Sequence, residues 1–578
     1  MTAEEFREKL AKALEQAVRE IPSRYSERDD WMPLTEEQAS FLETRGCRCD
    51  DWSGVFVSPG SDLGAVTDCR FFGRVRLTLE PAVLDGSARL PMLRGSGLED
   101  VVVGPGCRVI DTGILSGMVL EECVTVERCG RIGCAGGSLF GSLRELELGV
   151  ETGERNVPSS PLLDMETASL LSGGETRRSL LEVYRSTALD LADLLRGMDG
   201  GVLGSGCSIK DTSVVENTLV GPGAAVDNAR AVRNSTLMAG SSVRDGALVR
   251  DSILRWSCTV DSMAFVDGSV VDEASMVEKH GKLTASYLGP NSVLGEGEIT
   301  SSLAGPFTAC HHQALLIAAR WPEGRGNIGY GANVGSNHTS RLPDQEIRPG
   351  EGMFFGLACS VKFPADFHRA PYSIIATGVT TLPQRVEFPF SLICEPFRRI
   401  DGVPPAWNQI IPGWVLSDNM FAVLRNDAKY RERNRAVHWK PPDAGIVRAE
   451  TVQLMLDALD RLDVEETRSH YTEDQIPGLG RNFLTEEHRL AAVRTYRFHA
   501  DLFALETMDS PSATEMDRQL SESVMGSRYS GYSRSRLEEL RSSMREDLAR
   551  SVEESRSRDH RRGVSIIDDY ALVRGIHR

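Results

Sequence analysis

A period of 17 residues governs the middle of this chain. Aliphatic residues recur at Ile209, Val226, Val243, Val260 and Val277, each 17 positions after the last. A second column holds Val215, Val232, Val249 and Val266, and a third Val220, Leu237, Leu254 and Val271, on the same step. Successive apolar positions are therefore six, five and six residues apart before the cycle restarts. An α-helix has no such period, and a hairpin reverses direction instead of stacking like on like. A three-sided coil satisfies it. Three short strands make one turn, one aliphatic from each points to a common axis, and like positions stack coil upon coil.

That spacing is the one of the left-handed parallel β-helix built from hexapeptide repeats. The expected fold is mainly β, with coils of 17–18 residues, a helical insert and a helical C-terminal domain. Thr218, Ser235, Ser252, Ser269 and Ser286 form a hydroxyl column on the same step, read as a ladder satisfying backbone groups at one corner. The cycle also runs through Val103, Val109, Leu115, Leu120, Val126 and Ile132, so the solenoid starts well before Ile209.

The rest of the chain divides around those coils. Over 1–30, Phe6, Leu10, Ala13, Leu14, Ala17 and Val18 mark one face of an amphipathic helix. Residues 31–100 read as an irregular β cap with a short helix over 35–44, and 101–144 as the first coils. Residues 145–199 read as a strand plus a helical insert, with Leu180, Leu181, Tyr184, Leu191 and Leu195 at helical spacing. Such an insert must lean on the outside of the prism, because the aliphatic columns fill the inside. The main solenoid occupies 200–395 and a helical domain 396–508, followed by a charged, partly helical tail over 509–578.

Composition excludes some partners. The formal charge is -18, which disfavours a nucleic-acid phosphate surface for the molecule as a whole. Twelve cysteines include no CxxC pair, so reduced thiols in a cytoplasmic setting are expected. Residues 2–21 lack the apolar core expected of a secretory leader, and no 18-residue apolar run occurs, so a soluble protein is expected.

Beyond Val277 the columns loosen, and glycine, histidine and aromatic residues gather. Within GPFTACHHQALLIAARWPEGRGNIGYGANVGSNHTSRLPDQEIRPGEGMFFG, followed by KFPADF and APYSIIATGVTTLPQ, the chain resembles a bacterial family of long hexapeptide-repeat proteins known as a domain of unknown function. The likeness extends over most of 31–505 and implies a β-helix of the trimeric acyltransferase superfamily, hence a homotrimer. The chain is also similar to the acetyltransferase half of the bifunctional UDP-N-acetylglucosamine-forming enzyme. Gly331-Ala332-Asn333-Val334-Gly335-Ser336 is similar to its active-site coil, which implies sugar contact at Asn333 and coenzyme A contact at Ser336. The segments around Gly356 and Thr377 look like its next coenzyme-side corners, and Tyr287 like its substrate tyrosine. Where that enzyme carries its basic histidine, this chain has Lys282, with His280 two residues earlier.

Four of the eleven histidines, His280, His311, His312 and His338, fall within 60 residues. His311 and His312 read as strand neighbours facing opposite ways. An acyl transfer to a sugar amine or hydroxyl needs a base near neutral pH, which imidazole supplies. Backbone N–H groups at the glycine corners are candidate donors to the oxyanion. Arg320, Arg325 and Lys362 are candidate partners for phosphates of coenzyme A or a nucleotide sugar. The expected activity is thus acyl transfer from a coenzyme A thioester to a sugar or nucleotide sugar. Two alternatives stand beside it: a non-catalytic scaffold sensing a sugar nucleotide, and a three-histidine zinc site of the carbonic-anhydrase kind using His311, His312 and His338.

Overall fold

The computed structural model describes residues 2–20, 30–151, 153, 155–174, 177–335, 346–441 and 445–570. It divides into two compact units. The first holds the chain to Pro322 together with Arg435–Trp439, and the second holds the other described residues from Glu323 onward.

In the first unit the three columns are the interior of a parallel β-solenoid. Ile209, Val226, Val243, Val260 and Val277 pair in succession, as do Val215, Val232, Val249 and Val266. Val220, Leu237, Leu254 and Val271 form the third row, and every one of these side chains is buried. Corners turn on Asp and Asn in left-handed backbone, among them Asp211, Asn217, Asn234 and Asp251. The hydroxyl column is the ladder expected of it. The Ser235, Ser252, Ser269 and Ser286 hydroxyls donate to the carbonyls of Arg233, Arg250, Asp267 and Thr284. The Ser235, Ser252 and Ser269 hydroxyls also accept the N–H of Ser252, Ser269 and Ser286 at 3.1–3.2 Å.

Coils begin earlier than the apolar pattern indicated. Cys49 pairs with Phe71, Phe71 with Leu98 and Leu98 with Leu115, while Val57, Leu77 and Val103 form another row. The period is hidden there because an antiparallel hairpin, Ala82–Leu84 with Ser87–Arg89, lengthens one coil. The columns also persist past Val277. Val277, Leu294 and Cys310 stay in register, as do Leu283, Ile299 and Leu316, and Leu288, Ala304 and Trp321. One coil there is a single residue short, which shifts the apparent period without emptying the core.

The insert leaves the ladder intact. Leu120 pairs with Leu203, Val126 with Ile209 and Ile132 with Val215, so the next coil resumes in register after the excursion. Its helices, Met165–Ser172 and Arg177–Arg196, lie outside the prism as geometry required. Leu180, Tyr184, Leu191 and Leu195 share one buried cluster with the outward-facing Leu219, Ile253, Val270, Tyr287 and Leu303 of the solenoid. The N-terminal helix Ala3–Glu20 adds Phe6 and Leu10 to that cluster, and Lys9 is paired with Asp164 at 2.9 Å.

The second unit carries its own coils. Ile328, Phe355, Ile375 and Ile393 pair in parallel, after which the direction reverses where Ile393 meets Ile410. Helices Ala449–Leu462 and Glu486–Thr507 join through Val452, Ala500 and Phe503. The charged helix Arg534–Val564 docks through Met544, Leu537, Leu540 and Leu548 against Leu502 and Leu505, with Arg541 on Asp509 at 3.0 Å.

Two outcomes are expected from this packing. Val249→Asp places an unpaired carboxylate where the wild-type side chain is wholly buried, a cost of several kcal/mol, and should abolish the cooperative melt of the solenoid in circular dichroism. In the second unit, burial lowers the His499 imidazole from 6.5 to about 4. The unfolded chain therefore binds the extra proton between those values, and stability is full above pH 6.5 and lost as pH falls toward 4. The loss should total roughly 3 kcal/mol and disappear from urea melts of His499→Leu.

Candidate functional site

Three of the four histidines meet at one corner of the first unit. Lys279, Glu296 and His312 occupy successive coils in left-handed backbone, with His280 and Gln313 beside them in the same conformation. Each coil hangs on the one before: the Glu296 N–H donates to the Lys279 carbonyl at 3.0 Å and the His312 N–H to that of Gly295 at 3.1 Å. The strand ends at His311, so His312 sits in the turn and the two rings do not alternate across a strand. Their centroids are 6.0 Å apart on the same stretch of surface.

Nδ1 of His312 lies 2.8 Å from Oε2 of Glu296. A carboxylate only accepts, so Nδ1 carries the hydrogen, and in the neutral ring Nε2 keeps its lone pair, with the ring exposed to solvent. His311 is half-buried, and burial first, then the neighbouring His312, holds it below the ordinary imidazole value, so it is neutral near pH 7. Glu278, Gly295 and His311 are stacked neighbours in one row. A Cβ at Gly295 would stand 3.5 Å from both the Glu278 side chain and Nδ1 of His311, so the missing side chain leaves a notch between them. Lys279 pairs with Glu278, and Lys282 with Glu298, each at 3.0 Å.

Other sequence candidates are placed elsewhere. Tyr287 is on the face covered by the insert, fully buried, with its hydroxyl on Asp272 and 3.3 Å from Arg255. Arg320 is held by the insert through the Ser172 hydroxyl and the Ser169 carbonyl at 3.1 Å. In the second unit, Arg325 is buried against Glu351 at 3.2 Å, and Glu351 also accepts from Tyr372 at 2.8 Å and from Arg448. Asn333 is half-buried on a strand, while Lys362 and Thr377 are exposed. A Cβ on Gly356 would fall 2.6 Å from the backbone of the next coil, so close stacking requires this glycine. Ser336 and His338 lie outside the described residues.

At three of the glycine corners the backbone donors are engaged. The N–H groups of Gly352, Gly356 and Gly378 donate to Gly324, Ile375 and Leu357, each at 2.8 Å. Coil stacking engages those groups, so they are not available to an oxyanion. No cluster of three or more His, Cys, Asp or Glu side chains suited to a metal ion occurs among the described residues. Burial pushes the Cys69, Cys107 and Cys310 thiols up to about 12, which makes them inert.

One feature had no signal in the sequence. Arg435–Trp439 lies along a row of corners of the first unit as a strap. Buried Glu273 accepts the N–H groups of Val437, His438 and Trp439 at 2.8, 2.9 and 3.2 Å, and Nδ1 of His438 at 2.9 Å. The His438 ring stacks on Trp256 at 3.9 Å, Trp439 packs edge-on to Phe307 at 5.9 Å, and the Arg435 N–H reaches Asn291 at 2.8 Å. The strap residues are more than 120 positions from their partners, which no local pattern reveals.

Comparison with known proteins places the chain. An uncharacterised protein of Treponema pallidum is 26% identical over 456 residues, which is 75% of this chain and 61% of that protein. The chain thus spans about 61% of that relative's length. A solved structure from Desulfovibrio desulfuricans, named as a candidate acetyltransferase, aligns over 72% of this chain and 81% of its own at 9% identity, with a TM-score of 0.14. Residues 31–411 match the family described as Domain of unknown function (DUF4954), which is most of the solenoid and well over half of the chain. The protein belongs to the DUF4954 family.

Proposed function

We propose that the protein transfers an acyl group from a coenzyme A thioester to a hydroxyl or amine of a sugar or nucleotide sugar, with His312 as general base. The observation that carries this reading is the contact of His312 with Glu296 at 2.8 Å on an open corner. A carboxylate that holds Nδ1–H orients the ring, fixes the tautomer and stabilises the imidazolium formed during catalysis. Nε2 takes the proton from the acceptor as its oxygen or nitrogen attacks the thioester carbonyl carbon. The tetrahedral oxyanion then collapses, the C–S bond breaks, and the thiolate leaves and is protonated. Neutral His311, beside His312, has a ring N–H to offer the oxyanion in place of the engaged backbone donors.

Self-association belongs to the same reading. One face of the prism is covered by the insert and the N-terminal helix. A homotrimer would therefore use the remaining faces, and light scattering at micromolar concentration should report three chains.

The catalytic reading is checked by thiol release from acetyl-coenzyme A in the presence of UDP- and GDP-sugars. His312→Asn suits the left-handed backbone at this position and should lower turnover by about 10²-fold or more. Glu296→Gln should lower it by about tenfold, and both variants should keep the wild-type melting temperature because both side chains are exposed. Unchanged turnover in His312→Asn would remove the base assignment. Absence of thiol release with any sugar, together with no thermal shift by coenzyme A, would remove the acyl-transfer reading.

A further inference from the structure

The first unit holds a second site, on the face covered by the insert. A cavity of about 570 Å³ opens there, within the size range of small-molecule pockets. Its walls come from three separated parts of the chain. Leu219, Met238 and Trp256 belong to successive coils, Leu191 and Leu195 to the insert helix, and Ala17 and Arg19 to the N-terminal helix. His438 of the strap closes one side, stacked on the Trp256 ring at 3.9 Å. The cavity is a consequence of how this face is built. Leu219, Ile253, Val270, Tyr287 and Leu303 are covered by the insert, but at Thr236 the apolar column is interrupted, and the helices bridge the gap.

The cavity carries a carboxylate at one end. Oε2 of Glu121 accepts the Ser205 N–H at 2.8 Å and the Ser205 hydroxyl at 3.0 Å, which fixes the carboxylate and leaves its other oxygen for a ligand. His438 lies at the other end of the cavity, with its Nδ1 donating to Glu273. The Thr236 hydroxyl is already engaged, donating to the Phe140 carbonyl at 2.8 Å. A fixed carboxylate at one end of apolar walls suits a donor that carries positive charge. Among the described residues the cation at the rim is Arg19, whose side chain is 81% exposed.

We infer that this cavity binds an amphipathic small molecule with an elongated apolar body and a protonated amine head, the head at Glu121 and the body along Leu219, Met238 and Trp256. The site is distinct from the His312 corner. Val260, on the coil at the near end of the cavity, and Cys310, on the coil of that corner, are three ladder steps apart, or about 14 Å along the axis at a strand spacing of ~4.8 Å. Binding here does not depend on any acyl transfer at that corner.

The test titrates the full chain with dodecylamine and with dodecanoate, below their micellar concentrations, by calorimetry and thermal shift. Dodecylamine should bind at least about tenfold more tightly than dodecanoate. Glu121→Gln keeps an acceptor for Ser205 and should weaken the amine about tenfold or more while leaving the melting temperature of the free protein unchanged. Ala239→Trp fills the cavity from a half-exposed corner position and should abolish binding of both probes. Equal or tighter binding of dodecanoate, or unchanged amine binding by Glu121→Gln, overturns the head-group assignment. If wild type binds neither probe, or Ala239→Trp binds both as well as wild type does, the cavity is not a ligand site.

Discussion

Everything in this structure hangs on the backbone ladder between successive coils. Each coil offers N–H groups to the carbonyls of a neighbouring coil, so all of them must present the same three short strands at the same three heights. A residue added or removed within a strand would turn its side chains inside out, whereas a change at a corner only alters the turn. The chain obeys this throughout. The single-residue shortening after Val277, the hairpin at Ala82–Leu84 and the long excursion before Gly201 are all placed between strands, and the ladder closes behind each of them. Burial of each inward aliphatic contributes on the order of 1.5–3 kcal/mol, repeated at every rung, against the entropy of ordering a long chain.

A prism of this kind has an inside that packs itself and three outsides that do not. On one outside the chain places Leu219, Ile253, Val270, Tyr287 and Leu303, an apolar stripe that water would expose at a cost. The insert and the N-terminal helix cover that stripe with their own apolar faces. Charge is managed at the same place: Arg255, Asp272 and the Tyr287 hydroxyl are buried together, and Arg255 also donates to the Leu163 carbonyl of the insert at 2.8 Å. Such a cluster tolerates burial because each charge has a partner, and it fixes where the insert docks. The cavity and the strap are products of this covering layer, not of the repeat.

The histidine corner follows a different logic. Corners are where a solenoid can vary a side chain without disturbing the ladder, because their side chains point away from the core. Glu296 and His312 meet since stacked corners lie one strand spacing apart, within reach of a hydrogen bond. Concentration of histidines in the sequence pointed to the region. It did not reveal Glu296 as the partner, because the shortened coil puts the two residues 16 apart instead of 17. The assumption of strand alternation at His311 and His312 also failed, since one of the pair belongs to the turn. Free backbone donors at glycine corners were expected from the sequence, yet at Gly352, Gly356 and Gly378 those N–H groups hold a neighbouring coil.

What the sequence determined by itself is the solenoid: its axis-facing residues, its register over the regular coils, its hydroxyl ladder and the obligation of the insert to lie outside. These follow from period alone, because a parallel ladder translates a repeat in sequence directly into a stack in space. Tertiary structure decided the rest. Tyr287 resembles a substrate tyrosine in the sequence and lies fully buried under the insert. Glu273 carries no signal in the sequence, and it holds a strap that arrives from more than 160 residues away. Contacts of that kind carry no period. They depend on which outer face is covered and by what, and only the folded chain settles this.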